Sequence, residues 1–149
     1  MGVNKYVSEV KDINQNIEIV YNFLSDFNNL GQFFNEYTLA QISQQIPKVK
    51  IEDFRSDTDS CAFTISSVGE AGLRIIDREP AKIIKITGEG KIPFEVYLWI
   101  QLLPAGPYQC KIRLTLHAHL NMMLKMVLNN KLKEGINTIA EALTRFPYQ

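Results

Sequence analysis

At Leu120 the hydrophobic period of this chain changes, and that change limits the folds open to it. From Gln109 to Leu120, the residues Cys110, Ile112, Leu114, Leu116, Ala118 and Leu120 alternate with Lys111, Arg113, Thr115, His117 and His119. Period-two alternation of that length specifies a strand with one buried and one wetter face. From Asn121 to about Arg145 the period becomes helical. Leu124, Leu128, Leu132, Ile136, Ile139, Leu143 and Phe146 recur at steps of three and four and stack on one stripe. Lys125, Lys131, Lys133, Glu134, Asn137, Glu141 and Arg145 fall largely elsewhere, and Pro147 ends the helix. A long amphipathic helix needs an apolar surface to cover, and a curved sheet has one on its concave side.

Upstream, turn residues alternate with apolar runs. Ser56–Asp59, Gly69–Gly72, Glu79–Ala81, Gly88–Pro93 and Pro104–Pro107 carry turn chemistry at hairpin spacing. Between them, Val49–Arg55, Cys61–Val68, Leu73–Arg78, Lys82–Thr87 and Phe94–Leu103 are predicted strands. Phe94, Val96, Leu98, Ile100 and Leu102 share one face of the last of these, with Glu95, Tyr97, Trp99 and Gln101 opposite. With Gln109–Leu120 that makes six runs, which tight turns require to be antiparallel. Tyr6–Ile13 is a further, weakly alternating strand. A helix starts at Asn16, a good N-cap, with Glu18 in its first turn and Val20, Phe23, Leu24 and Phe27 as its apolar face. Short helices are predicted over Leu30–Phe34 and Thr38–Gln45.

Composition excludes several functions. Sixteen basic and sixteen acidic residues give a formal net charge of +0, without the basic excess of a nucleic-acid-binding domain. No apolar run is long enough to span a bilayer, and Met1–Tyr6 leads into polar sequence rather than a signal-peptide core. Two cysteines, Cys61 and Cys110, do not make a disulfide framework. The expectation is one domain over residues 1–149, cytoplasmic, without stable membrane insertion and without a cofactor.

Ile13-Asn14-Gln15-Asn16, followed by Val20-Tyr21-Asn22-Phe23-Leu24-Ser25-Asp26, resembles the opening of the START-related helix-grip (SRPBCC) superfamily, especially its polyketide cyclase/dehydrase-like branch. In that family a strand, a short Asn/Ser-containing cap and a helix ending in Phe-Leu-Ser-Asp come first. The later strand spacing and terminal helix match as well, so the resemblance covers nearly the whole chain. Ile17 replaces a common Pro, and Phe33-Phe34 stand where a Trp-containing segment is usual. The resemblance implies an α+β helix-grip fold: a curved seven-stranded antiparallel sheet around a long C-terminal helix, with one or two short helices between strands 1 and 2. It also implies a cavity between sheet and helix. Members bind lipids, polyketides, quinones or hormones, and some are cyclases or chaperone cofactors.

The expected cavity residues are Phe94, Val96, Leu98 and Ile100 on one strand and Ile112, Leu114 and Leu116 on the next. Met123, Val127, Leu128 and Leu132 face them from the helix. The leading expectation is a small hydrophobic ligand held by burial. The alternatives are a cyclase/dehydratase-type enzyme in the same cavity, or a protein-interaction or chaperone-cofactor module. Met122, Met123 and Met126 fit either an adaptable cavity mouth or plain packing. Gly135 inside the helix suggests close backbone approach to the sheet. His117 and His119 share the outer face, without a third metal ligand in sight. Tyr97 and Trp99, also on the outer face, suggest homodimerisation, unless Tyr37 and Leu39 cover them. Asp53, Arg55, Arg74, Asp77 and Arg78 fit surface ion pairs, and Asp26 fits a cavity entrance.

Overall fold

The computed structural model describes residues 3–31, 50–66, 68–92 and 94–148. The chain runs β1 (Asn4–Val7), β2 (Lys11–Ile13), α1 (Ile17–Leu24), α2 (Phe27–Gly31) and β3 (Ile51–Ser56). It continues through β4 (Ser60–Ile65), β5 (Gly69–Glu79), β6 (Ile83–Gly90), β7 (Val96–Pro104) and β8 (Cys110–Ala118) to α3 (Met122–Leu143). The strands form one antiparallel sheet in the order β1-β8-β7-β6-β5-β4-β3, with β2 also pairing β8. That is the expected curved sheet, with eight segments in seven positions.

The predicted single strand Tyr6–Ile13 is broken, and the reason is parity. Tyr6 and Ile13 are both buried although they lie seven positions apart, an odd step that strict alternation puts on opposite faces. One residue extra on this side relative to β8 reconciles the two: Val7 pairs Thr115 while Lys11 pairs Ile112. Ser8 repairs the ladder there. Its backbone N–H donates to the Leu114 carbonyl at 2.8 Å and its Oγ accepts from the Leu114 N–H at 2.9 Å. A second irregularity lies between Ile75 and Asp77. It turns Ile76 to solvent and sets Arg78 opposite Ile84, on the concave side. Extra residues of this kind bend the strand that carries them.

Two predicted turns lie inside strands. Gly69–Gly72 belongs to β5 and Gly88–Gly90 to β6, so this hairpin is longer than expected. Glycine here serves close packing rather than chain reversal. A Cβ on Gly72 would lie 2.5 Å from the Cys61 carbonyl oxygen, and one on Gly90 2.6 Å from that of Glu70.

Asn16 caps α1, its side chain accepting from the Glu18 N–H at 2.9 Å. Asp26 does not point to a cavity; its carboxylate accepts from the Asn28 N–H at 2.8 Å, in the first turn of α2. The expected helix from Leu30 is α2, which starts earlier, at Phe27, and ends at Gly31. Phe33, Phe34, Tyr37, Leu39 and the predicted helix Thr38–Gln45 lie outside the described residues. Asn121 caps α3 through the Leu124 N–H at 2.8 Å. The α3 stripe needs one correction: Ile139 is exposed and Ala140 is fully buried in its place. A Cβ on Gly135 would meet nothing within 4 Å, so close approach to the sheet does not explain this glycine.

The core is closed at one end. Ile13, Val20, Leu24, Ile84, Cys110, Ile112 and Leu114 are essentially inaccessible. Ile136, Ala140 and Leu143 of α3 join them, as does Tyr148, whose ring meets Phe23 edge-on at 5.1 Å. Arg78 ties α1 to the sheet there, donating to the Ser25 carbonyl at 2.9 Å and to Asp59 at 2.7 Å.

Candidate functional site

The other end of the concave face is not sealed in the same way. Leu98 and Leu116 are register partners on β7 and β8. Together with Phe94 they are only partly buried, as are Leu124, Leu128 and Leu132 on the first half of α3. Phe54, Phe63 and Leu73, on the strands farther from the helix, complete this half-covered apolar surface. The helix packs chiefly over β8 and β1, so these outer strands lie beyond its main contact. Two hydrogen bonds fix that seam. The Tyr6 hydroxyl donates to Asn129 Oδ1 at 2.8 Å, and the Glu9 N–H donates to Asn137 Oδ1 at 2.7 Å.

The expected cavity residues divide three ways. Ile100, Ile112 and Leu114 are buried in the closed core. Phe94, Val96, Leu98, Leu116, Leu128 and Leu132 sit at intermediate depth. Met123 and Val127 are 75% and 58% exposed, on the solvent flank of α3, because a step of one residue turns a side chain about 100° from the Leu124–Leu128–Leu132 line. Met122 and Met126 are exposed beside them.

Chemistry on this face is sparse. The Cys61 thiol is pushed up to about 11, chiefly by burial, and burial also raises the Cys110 thiol. Neither is an activated nucleophile. Burial raises Tyr6 as well, which keeps it a neutral hydrogen-bond donor. The Arg78 guanidinium is engaged by Ser25, Thr58 and Asp59. Among the described residues no group of His, Cys, Asp and Glu could hold a metal ion. Phe54 and Phe63 were not foreseen. The register shift between Glu52 and Arg55, with Asp53 at φ 54°, breaks the alternation that would have shown Phe54 facing inward.

The outer face is different in kind. Trp99 meets His117 edge-on at 4.6 Å, and Lys85 Nζ lies 5.0 Å from the Trp99 ring centre and 5.1 Å from that of Tyr97. Lys5, Val7, Ile83, Trp99, Arg113 and His117 surround a depression of about 350 Å³. A second, of about 450 Å³, shares Ile83, Gln101 and Arg113 with it and extends past the β5–β6 turn and the end of β7 to Ile17. Burial lowers the His117 pKa, and the nearby Lys5, His119 and Lys85 lower it further. Of the residues expected in surface ion pairs, Arg55 pairs with Glu70, Arg74 with Glu89 at 3.2 Å and Arg78 with Asp59 at 2.7 Å, whereas Asp53 and Asp77 enter no ion pair among the described residues. No helix among the described residues is long and apolar enough to cross a membrane.

No protein-family model matches the chain, and no curated protein matches it in sequence. Solved structures do. Norcoclaurine synthase from Thalictrum flavum, in complex with dopamine and hydroxybenzaldehyde, aligns over 97% of this chain and 86% of its own, at 11% identity and a TM-score of 0.64. The Aha1 dimer from Colwellia psychrerythraea aligns over 97% and 98%, at 15% identity and a TM-score of 0.58. A protein from Thermobifida fusca aligns over 97% and 96%, at 12% identity and a TM-score of 0.57. At such identities the likeness is one of fold, and the fold of this chain is the helix-grip fold.

Proposed function

We propose that this protein binds a small, largely hydrophobic molecule, lipid- or polyketide-like, between the concave face of the sheet and the first half of α3. One observation carries the reading: the apolar stripe that is inaccessible at Ile112 and Leu114 continues to Leu98, Leu116, Leu124 and Leu128, where it is only half covered. An occupant that removed about 200 Å² of that apolar surface from water would contribute about 5 kcal/mol before association costs. The norcoclaurine synthase structure, with the same fold, holds two small aromatic molecules. Binding is favoured over cyclase or dehydratase chemistry because the described thiols and phenols of the concave face are shifted away from reactivity at neutral pH.

The test is titration with the fluorescent probe 1-anilinonaphthalene-8-sulfonate, alongside native mass spectrometry of the purified protein. Saturable probe binding, weakened about tenfold or more when Leu128→Trp fills the space, is the expected result. No co-purified molecule together with identical probe binding by the variant would remove the proposal.

A second reading concerns the outer face, where Tyr97 and Trp99 stand with Lys85 and His117. A structural neighbour is a dimer, so self-association there is one candidate. Sedimentation of Trp99→Glu beside the parent chain tests it, a dimer lost in the variant being the supporting result.

A further inference from the structure

The first two turns of α3 are apolar on both sides. Over Met122–Leu128, every residue but Lys125 is apolar. Leu124 and Leu128 pack against the core cluster, whereas Met122, Met123, Met126 and Val127 are 81%, 75%, 82% and 58% exposed. A helix that is apolar all round is ordinarily covered all round, and here only the inner side has a cover. At about 100° per residue the four exposed side chains form one strip, with Lys125 beyond one border and Lys131 beyond the other. Lys133 lies on the continuation of the strip, two turns past Met126.

The charge around the strip does not cancel. Lys125, Lys131 and Lys133 are exposed and enter no ion pair among the described residues. Against them α3 sets Glu134, about 10 Å along the helix from Val127, which leaves an excess of two positive charges. Glu141 and Glu9 are bridged by Lys11 at 3.5 and 3.2 Å. Strand register brings the β4–β5 turn and the β6–β7 connection to the same end of the sheet as the start of α3. The acids there are already matched. Glu70 pairs with Arg55, Glu89 with Arg74 at 3.2 Å and Glu52 with Lys50 at 2.9 Å. Glu95 accepts the Tyr97 hydroxyl on the outer face, and Lys91 balances it in number.

We infer that the first two turns of α3 dock on an anionic lipid surface, the Met strip among the headgroups and the three lysines against lipid phosphates. Charge and composition select that occupant. A second copy of this chain, related by a two-fold axis, would set the same cationic excess against itself. Lysine is depleted from protein interfaces, whereas an apolar strip bordered by lysines is the profile of a helix that lies in a bilayer interface. Long lysine stems cover part of such a strip and carry their charge to the phosphates. The attachment is reversible and interfacial, and needs no spanning helix. It also names a source for the ligand, a step that rests on the proposed binding site as the docking itself does not. Leu124 and Leu128, on the inner side of the same two turns, roof the half-covered surface, so a molecule dissolved in lipid reaches it with little passage through water.

The test is flotation of the purified protein with phosphatidylcholine vesicles containing about 30% phosphatidylserine, beside phosphatidylcholine alone. Binding is expected to the anionic vesicles only, weakening as salt rises from about 25 to about 500 mM. Met123→Glu/Met126→Glu and Lys125→Glu/Lys131→Glu should each bind about tenfold or more weakly. Lys82→Glu, exposed on the β5–β6 turn at the opposite end of the sheet, should bind as the parent does. Every substituted side chain is exposed, and thermal unfolding checks that the variants fold. A fluorophore on Met126→Cys gives a second readout without a charge change. Its emission should shift to the blue on anionic vesicles, whereas the same label on Lys82→Cys should not respond; the native Cys61 and Cys110 are buried. The inference is overturned if the protein ignores anionic vesicles, if phosphatidylcholine alone binds equally well, or if either double variant binds as tightly as the parent. It is equally overturned if polyglutamate occupies the strip where vesicles do not, or if sedimentation shows the strip to be a contact between copies. Vesicle binding by a protein that fails the anilinonaphthalene titration supports the docking and removes only the cavity. Probe binding without vesicle binding removes the docking alone.

Discussion

The two halves of α3 are built from the same stripe yet meet different surroundings. In the second half, Ile136, Ala140 and Leu143 are buried in the core cluster that also holds Val20, Leu24, Ile112, Leu114 and Tyr148. In the first half, Leu124, Leu128 and Leu132 are only partly covered, and Met122, Met123, Met126 and Val127 are exposed. A helix that only plugged a core would be buried evenly along its inner side. This one is anchored at its C-terminal half, and its N-terminal half roofs an apolar surface without sealing it. On the proposed reading, stability and ligand binding fall to different turns of one helix.

The largest test of that division is a pair of truncations. Leu114→Ala, in the closed half, should cost about 2–5 kcal/mol in urea unfolding. Leu128→Ala should cost less than about 1.5 kcal/mol and act mainly on probe binding. Equal costs would erase the distinction. Next in size, Ala140→Leu should overpack the anchored half and destabilise by about 1–3 kcal/mol, whereas Met123→Leu on the exposed flank should leave unfolding unchanged.

A smaller effect, of opposite sign, is expected at Gly135. It lies between the two halves with open space where a Cβ would stand. Gly135→Ala should therefore stabilise by about 0.5–1 kcal/mol, and a loss of stability would reveal a contact on that side. An effect confined to alkaline pH concerns Cys61, whose thiol is raised to about 11. A raised thiol favours the folded state while it stays protonated. Its contribution is complete below the unfolded value of about 9 and is lost as pH rises through the folded value. Cys61→Ala should therefore flatten the decline of stability between pH 9 and 11. At pH 8, native Cys61 should resist alkylation by iodoacetamide until the protein unfolds.

Much of the architecture was legible. The alternation of Cys110–Ala118 and of Val96–Leu102, the caps Asn16 and Asn121 and the leucines of α3 are local signals, and each appears where local physics puts it. What escaped was whatever depends on register. Ser8 and Ile76 alter parity, and no periodicity in the chain announces them. Gly72 and Gly90 looked like turn residues because glycine serves both for reversing a chain and for letting two backbones approach. The candidate site was half visible: Leu98, Leu116, Leu128 and Leu132 came from the stripes, whereas Phe54, Phe63 and Leu73 join only through strand order.

By itself the sequence determined which elements form and which side of each is apolar, because both follow from residue spacing along the chain. Only the tertiary structure decided how far α3 covers the sheet and which cations meet at Trp99. Burial depth and charge clustering depend on pairing between residues such as Lys5 and His117, or Leu98 and Leu116, that lie far apart in the chain and meet only once the sheet has closed.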